Sequence, residues 1–192
     1  MPPSKQIRIN RSVYKRVFAL ATLADILDWC DLCEQLPPLH PGYKAALCSM
    51  SVAYARLFDS TGNSIGSLTK EFCTFSNPDF KAVHGDLIMS RMKVFGHSDG
   101  TAKTTEAMGG ERNLHQVSII VSEQPGGIGI AFATPVMGIN ADKISVVRDL
   151  CNHQMERLRE SLKSDWGTTF GGPVSQGTYV LHIDKEEIKK TS

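Results

Sequence analysis

Four stretches of the chain repeat their apolar residues every three or four positions, and a fifth alternates them with small or polar ones. The first helical stretch covers 11–36, where Val13, Val17, Leu20, Ala24 and Leu27 form one apolar stripe and Leu23, Ile26, Cys30 and Cys33 a second beside it. So wide a face suits a central bundle helix or a dimer interface. Asn10 or Ser12 is the expected cap, and Pro37-Pro38 the stop. A second helix is predicted over 41–59, carrying Ala45, Cys48, Val52, Ala55 and Leu57 and breaking at Ser60-Thr61-Gly62-Asn63. The connection over 60–77 has room for one short helical turn at 68–72.

The third helix, over 78–96, has the clearest punctuation. Asn77 can cap free amide donors, Pro78 fits the first turn because its missing N–H loses nothing there, and Asp79 opposes the positive end of the dipole. Phe80, Val83, Leu87 and Val94, with Ile88 and Phe95 beside them, should face a core, and Gly96 ends the run. The fourth helix, over 141–164, opens at Asn140 and turns Ile144, Val147, Cys151, Met155, Leu158 and Leu162 to the same side. Between the third and fourth, His115, Val117, Ile119 and Val121 alternate with Gln116 and Ser118, and after Pro125-Gly126-Gly127 the residues Ile128, Ile130 and Phe132 alternate with Gly129, Ala131 and Ala133. That is a β-hairpin, to which a strand over 178–183 can add. The pattern predicts a mainly helical α+β fold, a four-helix bundle with a small antiparallel sheet made of the hairpin and the C-terminal strand. It reads as a single domain over 1–192, with 1–9 and 185–192 as loose tails.

Bulk properties narrow the chemistry. A chain of 192 residues with a formal charge of +1 shows no global basic footprint, so any nucleic-acid contact must rest on a local patch. Five cysteines, an odd number in apolar settings, read as reduced thiols, and the expected location is cytoplasmic, with no membrane partner. Cys30 and Cys33 have C-x-x-C spacing, but no second pair and no preceding strand accompany them, so they are read as core positions. The six histidines show no metal-binding spacing, and neither a metal nor a cofactor is expected.

One constellation remains. His84 and Arg91 lie seven residues apart, on roughly one side of the third helix, and His97 follows at its end. The stretch from Arg91 to Asp99, RMKVFGHSD, resembles the R-x(4–6)-H signature of HEPN domains, closest to the abortive-infection-like branch with its R-[N/D]-K-x-x-A-H-S-D pattern. Met92 stands where that pattern has a polar residue, and Gly96 where it has alanine. Many HEPN proteins are metal-independent endoribonucleases that act as dimers with both Arg/His pairs lining one cleft; others only bind. The resemblance implies that Arg91 holds the scissile phosphate and that His97 serves as general acid or base. Lys93, Ser98 and Asp99 would support them, with His84 a further candidate to support them or bind RNA. It also implies a homodimer, RNA as substrate, and a toxin or defence role with a possible antitoxin protein as partner.

The chemistry is coherent without the family. RNA carries its own nucleophile, so cleavage needs a proton acceptor, a proton donor and a cation for the phosphorane, which histidine and arginine supply. Positioned acid–base groups contribute about 10²- to 10⁴-fold each. The alternative is a non-catalytic nucleotide-, RNA- or protein-binding module, in which His97 caps the helix end and Arg91 pairs with Asp86 or Asp99. Proteins of this look often carry a Y-x-R-x-F element, matched by Tyr54, Arg56 and Phe58, so Tyr54 and Arg56 are candidates to line the cleft. Equally, Tyr54 and Phe58 can pack together while Arg56 pairs with an acid.

Overall fold

The computed structural model describes residues 4–38, 40–59, 67–91, 139, 141–165 and 167, together with the backbone of four strand segments at 118–124, 127–133, 178–181 and 188–191. Four helices pack as a bundle. The first, α1, spans Lys5–Gln35 and so starts six residues before the predicted boundary at 11. Its cap is Ser4, whose side chain accepts from the Ile7 N–H at 3.3 Å, rather than Asn10 or Ser12. The expected loose tail therefore holds from residue 5 onward as helix. Nothing in KQIRI breaks a helix, and Asn10 is fully buried. At the other end Leu36, before Pro37, is extended at φ −107° and ψ 141°, as the proline ring demands of its predecessor.

Helix α2 spans Pro41–Arg56. His40 caps it through Nδ1, which accepts from the Gly42 N–H at 3.0 Å. A Cβ at position 42 would lie 3.0 Å from that ring nitrogen and from Leu36 Cδ1, so a larger residue there would have to push both side chains aside. The helix stops short of the predicted 59, and Leu57 and Phe58 follow as a turn. Its core face is Tyr43, Leu47, Met50 and Tyr54, while the predicted Ala45 is exposed and Cys48 and Val52 are half-buried. The large side chains decide the facing, because each fully buried one stabilises the fold by about 1.5–3 kcal/mol and an alanine offers less. A short 3-10 helix at Lys70–Cys73 seats Phe72, and with it Leu68, in the core, as the expected turn.

Helix α3 spans Pro78–Met89 and begins as the sequence indicates, with Asn77 Oδ1 accepting from the Asp79 N–H at 2.8 Å. Val83 and Leu87 are buried. Ser90 and Arg91 continue it as a π-helical turn, and the expected extension to Gly96 lies outside the described residues. Helix α4, Ile144–Ser164, follows a 3-10 turn at Ala141–Lys143; the predicted cap Asn140 lies outside the described residues. Ile144, Val147, Cys151, Met155 and Leu158 face the core as predicted, joined by Leu150 and Gln154, and Leu162 is half-buried.

The principal packing contacts join α1 to α2 and α4, and α3 to α2 and α4, so α1 and α3 occupy opposite corners of the bundle. Of the two α1 stripes, the core takes Leu23, Ile26, Cys30 and Cys33. In the other, Val13 is buried, Leu20 and Leu27 are half-buried, Ala24 is exposed and Val17 is 51% exposed. Cys30, Cys33 and Cys151 are buried free thiols, and burial pushes Cys30 up to about 12 and Cys33 to about 11.

The strands pair locally. β1 (Ser118–Gln124) and β2 (Gly127–Ala133) form the expected antiparallel hairpin, with Val121 opposite Ile130. β3 (Thr178–Leu181) does not add to it. It pairs antiparallel with β4 (Ile188–Thr191), inside the segment expected to be a loose tail, so there are two separate ladders where one sheet was predicted. Closing a short loop loses less entropy than reaching a distant hairpin.

Candidate functional site

Arg91 sits at the last described turn of α3, its side chain one-third exposed at 34%. Its Nη1 meets Asp59 Oδ2 at 3.0 Å. Asp59 follows the end of α2, where its N–H bonds the Ala55 carbonyl at 3.0 Å. The ion pair thus ties the end of α2 to the end of α3. Asp59 is neither of the two acids considered from sequence: Asp86 is fully buried in α3, and Asp99 lies outside the described residues. A guanidinium carries five donors in a planar fork, and one carboxylate can engage two at most. The guanidinium therefore keeps donors that a second oxyanion can accept.

Two turns earlier, His84 is enclosed by aromatic rings. Phe58 meets it edge-on at 4.8 Å between centroids, Phe75 lies at 5.1 Å, and Tyr54 at 5.7 Å. Its Nδ1 shares a 2.9 Å hydrogen bond with the Tyr54 hydroxyl. Burial lowers its pKa to about 4, so the ring is neutral at physiological pH and offers no charge to a phosphate. Tyr54, expected at a cleft, is wholly buried. It packs against Phe58 at 5.1 Å, and desolvation holds its hydroxyl well above the usual tyrosine value. Arg56 is exposed on the last turn of α2, and no hydrogen bond or ion pair among the described residues joins it to Arg91. Lys93, His97, Ser98 and Asp99 lie outside the described residues. The structure therefore brings Arg91 and Asp59 together at the surface, with Tyr54 and His84 as the packed floor of the same helix pair.

That floor is braced from α4 by two residues the periodicity did not mark. Gln154, buried, donates from Nε2 to the Phe72 carbonyl at 2.6 Å. Arg157 donates to the carbonyls of Glu71 and Thr74 and lies over the rings of Phe72 and Phe75 at 5.4 and 5.9 Å. The signal for Gln154 was present: it is a lone polar residue within the apolar face Leu150, Cys151, Met155, Leu158. Asp59 and Phe75 gave none, because both lie in irregular segments.

A crevice of about 340 Å³ lies elsewhere, beside α1 and the end of α4, and includes Ser12, Lys15, Arg16, Ser161 and Asp165. Arg16 is committed there to Ser161, Ser12 and Asp165, so it works as a strap across the two helices. Among the described residues no group of three or more His, Cys, Asp or Glu side chains could hold a metal ion, and no helix is long and apolar enough to cross a membrane. No protein-family model, no curated protein and no solved structure matches the chain.

Proposed function

We propose that this chain is a HEPN-like protein that binds RNA through Arg91 and cleaves it without a metal, with His97 as general acid or base. The observation that carries the reading is the position of Arg91. It lies in the π-helical turn that follows α3, a distortion that recurs at functional sites, and it stands one-third exposed with the Asp59 carboxylate on its fork. The chain then leads within six residues to His97, the residue type that titrates nearest neutrality. Asp59 Oδ2 contacts Nη1 of the guanidinium at 3.0 Å, and a cation placed in advance is what a transition state can use. A toxin or defence setting, with an antitoxin protein as partner, belongs to the same reading.

The test is RNA cleavage in the presence of EDTA by the purified protein and by its Arg91→Ala and His97→Ala variants. The expected result is cleavage leaving 2′,3′-cyclic phosphate ends, reduced at least about 10²-fold in each variant while both remain folded. Equal activity in all three samples would refute the assignment.

One observation favours a second reading. The Arg91–Asp59 pair already gives Arg91 a partner within the chain, which is what a non-catalytic module would need to close the α2–α3 end. That reading predicts RNA or protein binding without cleavage.

A further inference from the structure

The crevice beside α1 and the end of α4 is lined from both helices at the same spacing. Ser12, Lys15 and Arg16 stand at i, i+3 and i+4 of α1, and Ser161, Ser164 and Asp165 repeat that spacing at the end of α4. The Arg16 side chain, 8% exposed, occupies the oxygens around it. Its Nη1 lies 2.7 Å from Ser161 Oγ, 3.1 Å from the Ser161 carbonyl and 2.8 Å from Asp165 Oδ2, and its Nη2 donates to Ser12 Oγ at 3.4 Å. The Ser161 carbonyl also accepts from Ser164 Oγ at 2.9 Å and from the Asp165 N–H at 3.3 Å. A hydroxyl that accepts from a guanidinium keeps its own hydrogen to donate, so Ser12 and Ser161 present O–H groups to the crevice. Asp165 neutralises Arg16. What remains is Lys15 on the α1 wall and Glu71 on the wall formed by the 3-10 helix, and neither is ion-paired among the described residues. Glu71 accepts from the Thr69 hydroxyl at 2.6 Å, which steadies its carboxylate without neutralising it. Leu68 and Phe72, both buried, supply an apolar floor.

We propose that this crevice binds a small zwitterion, a free α-amino acid with an apolar side chain. The carboxylate meets the Lys15 ammonium and the Ser12 and Ser161 hydroxyls, the ammonium meets Glu71, and the side chain lies over Leu68 and Phe72. A plain anion would face Glu71 as a like charge, and a plain cation would face Lys15 as one. Only a molecule carrying both charges answers both walls. The volume of about 340 Å³ suits so small a ligand, since pockets for organic molecules run from about 300 to 1,000 Å³. The crevice shares no residue with the Arg91–Asp59 pair, so this binding stands whether or not the chain cleaves RNA.

Titration of the full chain, followed by NMR, with L-leucine, L-leucinamide and N-acetyl-L-leucine tests it. L-leucine is expected to saturate with a Kd of about 1 mM and to shift the amides of residues 12–16 and 68–72. L-leucinamide lacks the carboxylate and N-acetyl-L-leucine lacks the ammonium, so each should bind about fivefold more weakly. Lys15→Met should weaken L-leucine about fivefold and leave L-leucinamide unchanged, whereas Glu71→Gln should weaken L-leucine by as much and leave N-acetyl-L-leucine unchanged. No saturable shift at these residues up to about 50 mM L-leucine, equal affinity for the three probes, or variants that bind L-leucine as the wild type does overturns the proposal. The comparison of probes is made on the wild type, so it decides even where a variant fails to fold.

Discussion

At the level of single residues, the Arg91–Asp59 pair separates the two readings of the site. A partly exposed ion pair contributes about 0.5–1 kcal/mol to stability at most, so Asp59→Asn should leave the protein folded. If Asp59 orients Arg91 for phosphate, that variant should bind RNA a few-fold more tightly but cleave it about tenfold more slowly, since a released cation attracts but no longer positions. If the pair only closes the helix ends, RNA affinity should not move. His84 makes a prediction of a different kind. Its folded pKa of about 4 lies below the ordinary 6.5, so its neutral form contributes stability in full above pH 6.5, and that contribution is lost as pH falls toward 4. The loss is at most about 3 kcal/mol. Urea unfolding at pH 7 and pH 4.5 should show it in the wild type, and His84→Phe should flatten the difference between the two pH values.

At the level of elements, the parts of the fold that could be read from sequence are those decided by near neighbours. The opening of α3 is local chemistry, an asparagine oxygen two residues from the amide it accepts and a proline where no N–H is needed, and it came out as read. The hairpin of β1 and β2 is local too. What stayed hidden needed a partner distant in sequence. Both stripes of α1 are equally apolar, and only α2 and α4 decide that Ile26 goes inside while Val17 stays out. For the candidate site, Arg91 was legible as a cation at a helix end. Asp59 was not, because it lies in an irregular segment 32 residues upstream, and Tyr54 turned from a cleft candidate into core, its hydroxyl bonded to the half-buried His84. The brace from α4 is likewise a tertiary fact. Arg157→Ala removes donors from the Glu71 and Thr74 carbonyls and uncovers Phe72 and Phe75, and should lower stability by about 1–3 kcal/mol in denaturant titration. Its effect should reach the α2–α3 end, seen as faster hydrogen exchange at Phe72 and Thr74.

For the molecule as a whole, α1 and α3 stand at opposite corners of the bundle, and Arg91 with Asp59 belongs to the α3 corner. The three thiols closed within the core give this bundle a further property. Cys30, Cys33 and Cys151 are shielded and held protonated by burial, whereas Cys73 is exposed. With the half-buried Cys48 replaced by serine, an alkylating reagent should therefore modify Cys73 in the native protein and reach the three buried thiols only in molecules that have opened. Followed by mass spectrometry, the lag between the first adduct and the later ones measures how often the bundle opens, without any probe attached to it.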